Sequence, residues 1–132
     1  MKYSIAFLFF LAVFTSCESH KSKKEIATPK ETVTAYLAAT NHFDFNAAKE
    51  FLILNKGNLM NLETLKKMEK SMPDDQKAKF LDMEKNVEYF EKEITDSTAQ
   101  IIVSPKQDIA MPIEFNLKKV NKKWLIESVI LH

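Results

Sequence analysis

Residues 109–126 read IAMPIEFNLKKVNKKWLI, and their alternation decides the fold class. Ile109, Met111, Ile113, Phe115 and Leu117 point one way, while Ala110, Pro112, Glu114, Asn116 and Lys118 point the other. A period of two belongs to a strand with one face on a core and the other wet or covered. The pattern runs to Val120, breaks at Asn121-Lys122, and resumes from Lys123 to Leu131, so the stretch predicts a hairpin. Pro112 lacks a ladder donor and is expected at an edge, a bulge or a non-bonded position.

Upstream, Asn86 to Thr95 and Thr98 to Val103 show the same period, with turns at Asp96-Ser97 and from Ser104 to Asp108. Four strands joined by short turns give successive hairpins and an antiparallel sheet. Before them the period is helical. Thr28-Pro29-Lys30-Glu31 is a helix start: Thr28 as N-cap, Pro29 where a missing amide hydrogen costs nothing, and Glu31 closing a capping box. Val33, Tyr36, Leu37 and Thr40 then define one buried face. Asp44 is placed to cap a second helix carrying Ala47, Ala48, Phe51 and Leu52, with Gly57 as a stop beyond Leu54. Leu59, Leu62, Leu65, Met68 and Met72 form a third stripe. Pro73 ends it, and Asp74 and Asp75 open a further helix expected to finish near Glu84. The expected fold is α+β: N-terminal helices packed on a curved four-stranded antiparallel sheet.

The other informative stretch is Tyr3 to Cys17. Tyr3 to Phe14 is an apolar run of 12 residues behind Lys2, and Thr15-Ser16-Cys17 follows. A helix of that length falls well short of the roughly 20 residues that span a bilayer, so the run has the proportions of a signal peptide. Phe14-Thr15-Ser16-Cys17 resembles a lipobox, although the commonest form has Leu three before the cysteine and Gly or Ala just before it. The resemblance implies a lipoprotein: a diacylglyceryl group on the Cys17 sulfur, cleavage before Cys17, and acylation of the new amine. The chain then divides into a signal at residues 1–16, a lipidated cysteine with a polar tether at 17–27, and one domain at 28–132. The competing assignment is a general secretory signal with an incidental cysteine. Similarity to such proteins implies the envelope of a Gram-negative bacterium, and Glu18, in place of the aspartate that retains lipoproteins at the inner membrane, implies the outer membrane. The expected partner is thus a lipid bilayer.

Composition excludes several classes. The 116 residues from Cys17 onward suffice for a single core, and one cysteine permits no internal disulfide. All 19 basic residues are lysine against 18 acids, so there is neither the basic field nor the arginine fork of a nucleic-acid binder. One glycine rules out glycine-rich phosphate loops and the Gly-x-Ser-x-Gly elbow. His20, His42 and His132 lie at no metal-ligand spacing and read as solvated, so no metal and no cofactor are expected. The methionines read as core filler.

The segment from Thr28 onward resembles the nuclear transport factor 2-like superfamily, in particular small bacterial lipoproteins with a domain of unknown function of that type. The resemblance rests on Thr28-Pro29-Lys30-Glu31-Thr32-Val33, on the corner His42-Phe43-Asp44-Phe45-Asn46-Ala47-Ala48-Lys49, and on the hairpin from Leu117 to Ile126 with Trp124. It implies a cone-shaped sheet around the first helix, often with a pocket, and a homodimer formed through the sheet. Tyr36 would project into such a cavity, with Phe115 and Trp124 as apolar lining; plain core packing is the competing role and the one the residues favour. Asp44 as a base competes with its role as a cap, which accounts for it fully. The expected function is a non-enzymatic envelope module that binds a small apolar ligand or a protein partner. The alternatives are a cavity isomerase or dehydratase using Tyr36 with a buried carboxylate, and a structural envelope or stress factor.

Overall fold

The computed structural model describes residues 28–106 and 111–132. The proposed signal, Cys17 and the tether lie outside the described residues, as do Asp108, Ile109 and Ala110. Helix α1 spans Pro29–Asn41 and begins as its sequence dictates. The Thr28 hydroxyl accepts from the Glu31 amide at 3.1 Å, and the Glu31 carboxylate accepts from the Thr28 amide at 3.2 Å. Phe43, in the left-handed region at φ 60°, turns the chain, and Asp44 then caps α2 (Phe45–Lys49) by accepting from the Ala47 amide at 3.1 Å.

Here the structure departs from the helical periodicity. Helix α2 stops at Lys49, and residues 51–53 run alongside Ile126 in a short parallel bridge. The Ile53 amide donates to the Ile126 carbonyl and the Ile126 amide to the Phe51 carbonyl, both at 2.8 Å. The edge of the sheet needs partners for its backbone groups, and this demand overrides the propensity to continue the helix. Gly57 is therefore no helix stop. It lies in the first turn of α3 (Lys56–Lys70), whose cap is Asn55.

Helix α4 (Asp74–Phe80) follows Pro73 with Asp74 and Asp75 in its first turn, as expected, but ends short of Glu84. Asp82, at φ 63°, leads instead into a 3₁₀ turn at Met83–Asn86. The sheet comprises β1 (Val87–Lys92), β2 (Thr98–Pro105), β3 (Ile113–Val120) and β4 (Lys123–Leu131), all antiparallel neighbours in chain order. Asn121 and Lys122, at φ 50° and 68°, form the two-residue β3–β4 turn that positive φ at both centres defines. Pro112 stands just before β3, where no ladder donor is required, and its carbonyl accepts from the His132 amide at 3.3 Å. Met111, expected inward, is 64 % exposed, for it precedes Pro112 and lies outside β3, which begins at Ile113.

One face of the sheet carries Ile101, Phe115, Leu117 and Ile126, each almost wholly buried, and α1 lies against it through Val33 and Tyr36. Each such side chain contributes about 1.5–3 kcal/mol of transfer free energy. The Thr32 hydroxyl fixes the helix to β4 by donating to the Trp124 carbonyl at 3.1 Å. The pairing of β3 with β4 slips between Asn116 and Leu117, leaving Glu127 as an extra residue. A bulge frees backbone groups from the ladder. The Glu127 carbonyl is taken up by the side-chain amides of Asn55 at 3.0 Å and Asn58 at 3.2 Å, which tie the start of α3 to the sheet.

Candidate functional site

Tyr36, Phe115 and Trp124 come together in one core cluster, at 5 %, 1 % and 6 % exposure. The Tyr36 ring meets Phe115 edge-on at 6.0 Å between centroids. Burial pushes the Tyr36 hydroxyl up to about 12, and among the described residues it makes no hydrogen bond. Its ring is part of the packed core. Asp44 acts as the cap that its position predicts. His132 lies 3.6 Å from a carboxylate oxygen of Glu114, and His20 is outside the described residues.

A cavity of about 70 Å³ opens elsewhere, where α3 and α4 face the end of α1 and the start of α2. Its apolar wall consists of Phe43, Phe45, Leu65, Met68, Met72 and Phe80. The left-handed corner between α1 and α2 places Phe43 against the core beside Phe45 of α2, the stripe of α3 presents Leu65 and Met68 with Met72 just beyond it, and Phe80 ends α4. The Phe43 ring meets Phe45 at 6.4 Å and Phe80 at 6.1 Å, both edge-on, and the Lys77 ammonium lies 5.9 Å from its centre. The α3 stripe is legible in the sequence, where it reads as packing. Phe80 carried no signal of its own, since its partner Phe43 is distant in the chain.

A second hollow of about 190 Å³, lined by Glu93, Gln100, Asn116 and Glu127 among others, is polar and shallow. It adjoins the other face of the sheet, where Gln100 donates to Asn116 at 3.2 Å and Asn116 to the Ser128 hydroxyl at 3.1 Å. Neither hollow is lined by Tyr36, Phe115 or Trp124. Among the described residues no helix is long and apolar enough to cross a membrane.

The fold defines an α+β domain in which helices precede a four-stranded antiparallel meander. No family model matches the chain, and neither the curated proteins nor the solved structures contain a match to it.

Proposed function

We propose that this chain is a lipid-anchored module of the bacterial envelope that takes an apolar guest, such as the end of an acyl chain, into the cleft that α3 and α4 form with the corner between α1 and α2. The observation that carries the reading is the wall of three phenylalanines, one leucine and two methionines around that cleft. A dry cavity of about 150 Å³ holds benzene, so 70 Å³ admits a guest only if the wall moves. The wall is suited to that. Met68 is 47 % exposed at the rim, unbranched methionines repack readily, and α4 contributes no buried residue that would lock the cleft shut.

Within this proposal the anchor is Cys17, the address is the outer membrane, and the domain is a nuclear transport factor 2-like cone. Support for the cone comes from the capping box, the Asp44 corner and the Trp124 hairpin, each formed at the residues that carry the resemblance. The module is non-enzymatic: the Tyr36 hydroxyl, raised to about 12 by burial, gives proton transfer no support.

Two measurements test this. Native mass spectrometry of the protein purified from its own envelope is expected to show a co-purifying small mass, and a fluorescent fatty-acid probe is expected to bind one per chain. Met68→Trp, which fills the rim, should weaken the probe at least tenfold with an unchanged circular dichroism spectrum. Undiminished probe binding in that variant sinks the cleft. Growth with labelled fatty acid should label the wild-type chain and leave Cys17→Ser unlabelled, and an unlabelled wild type removes the anchor.

A further inference from the structure

We propose that His42, Asp82 and Glu84 form a binding site for a divalent transition-metal cation of the zinc class. One imidazole nitrogen and one oxygen from each carboxylate lie within 4.8 Å of one another. His42 closes the end of α1, whereas Asp82 and Glu84 lie in the link between α4 and β1, so folding alone assembles the set. The His42 Nε2 to Asp82 Oδ1 separation is 3.9 Å. Ligand bonds of about 2.0–2.2 Å in a tetrahedron put donor atoms roughly 3.3 Å apart, so the pair must close by only about half an ångström. Both side chains are more than half exposed, at 52 % and 57 %, and free to make that adjustment.

Glu84 supplies the independent observation. It is 5 % exposed, yet its carboxylate receives one hydrogen bond, at Oε1 from the neutral Asn41 amide at 2.8 Å. Among the described residues Oε2 has no hydrogen bond, and no ammonium pairs with the group. A carboxylate buried without a cation is costly, and such groups are ordinarily paired or bound to a metal. Asn41, the neighbour of His42 in sequence, fixes one oxygen of this carboxylate, as an orienting partner of a metal ligand does. The Tyr89 hydroxyl, donating to the Glu84 carbonyl at 2.7 Å, fixes the backbone of the same residue.

Chemistry selects the ion. Calcium and magnesium prefer sets made of oxygen alone, whereas an imidazole with two carboxylates suits zinc and its transition-metal neighbours and leaves a fourth position for water. Lys85 is the group in competition: its ammonium sits 3.3 Å from Asp82 Oδ1 and is 71 % exposed, so a divalent ion displaces it into solvent. Binding ties the end of α1 to the link that follows α4.

The test uses the full chain stripped of metal by chelator and dialysis, titrated with Zn²⁺ alone by calorimetry and by competition with a chromophoric chelator. One Zn²⁺ per chain is expected, with a higher melting midpoint. His42→Gln and Glu84→Gln should each weaken binding at least tenfold, Lys85→Met should tighten it severalfold, and His132→Gln should leave it unchanged. Glu84→Gln keeps the shape and the Asn41 contact, and His42 is exposed, so circular dichroism can confirm that both variants fold. Absence of one-to-one binding, unchanged affinity in His42→Gln or Glu84→Gln, or loss of binding in His132→Gln overturns the assignment.

Discussion

Replacing Asn58 with alanine probes the junction that joins α3 to the sheet. Asn58 is 2 % exposed, and its side-chain amide faces three carbonyls: Ile53 at 2.8 Å, Ile126 at 3.0 Å and Glu127 at 3.2 Å. A naive sum would charge Asn58→Ala with three orphaned acceptors. Each carbonyl, however, keeps a second donor: the Asn55 amide for Ile53, the Ile53 amide for Ile126, and the Asn55 side chain for Glu127. What is lost is the net worth of two N–H bonds, about 0.5–1.5 kcal/mol each, together with a small void. The expected loss is about 2–3 kcal/mol, which for a domain of this size lowers the melting midpoint by about 8–20 °C. Asn58→Asp should cost more, about 4 kcal/mol, because it aims a buried carboxylate at three carbonyl oxygens. Its deficit should narrow as falling pH protonates that group. Urea unfolding followed through Trp124 fluorescence measures both. If Asn58→Ala lies within 0.5 kcal/mol of wild type, or if the aspartate variant matches the alanine variant at neutral pH, the account of this junction is wrong.

Other outcomes follow from the same geometry. Tyr36 has a folded-state value raised from 10.0 to about 12 by burial, so its stabilising contribution is complete below pH 10 and is lost as the pH climbs toward 12. Urea midpoints between pH 9 and 12 should therefore fall more steeply for wild type than for Tyr36→Phe, by about 2 kcal/mol across the window; parallel curves refute the burial argument. Thr28→Ala removes the acceptor of the capping box and should cost about 1 kcal/mol in the same unfolding experiment, with Thr28→Ser close to wild type. Leu62, the buried apolar anchor of α3 at 1 % exposure, should cost about 2–5 kcal/mol as alanine, whereas Met60→Ala on the exposed side should cost under 0.5.

Local chemistry was legible wherever partners lie within a few residues. The Thr28–Glu31 box, the Asp44 cap, the break at Pro73 and the Asn121-Lys122 turn all form between near neighbours, so the sequence pattern contains both halves of each interaction. The strand alternation was equally readable, since burial of Phe115 and Leu117 requires only that one face be covered. Periodicity alone carries the second helix past Lys49, because the competitor for residues 51–53 is the edge of β4, more than seventy positions away. The same distance hid Asn58, which reads as an ordinary polar residue of an amphipathic helix.

By itself, then, the sequence determined the α+β order, the Thr28 and Asp44 caps, the hairpins and the inward placement of Val33, Tyr36, Leu62, Phe115 and Leu117, because these depend on near neighbours and on apolar periodicity. Only the tertiary structure decided that Glu127 is a bulge whose carbonyl engages α3, that Phe43 and Phe80 share a cleft, and that His42 stands beside Asp82 and Glu84. The physical reason is that unpaired backbone groups and buried charges are satisfied by whatever the fold brings near, and chain order does not record that proximity.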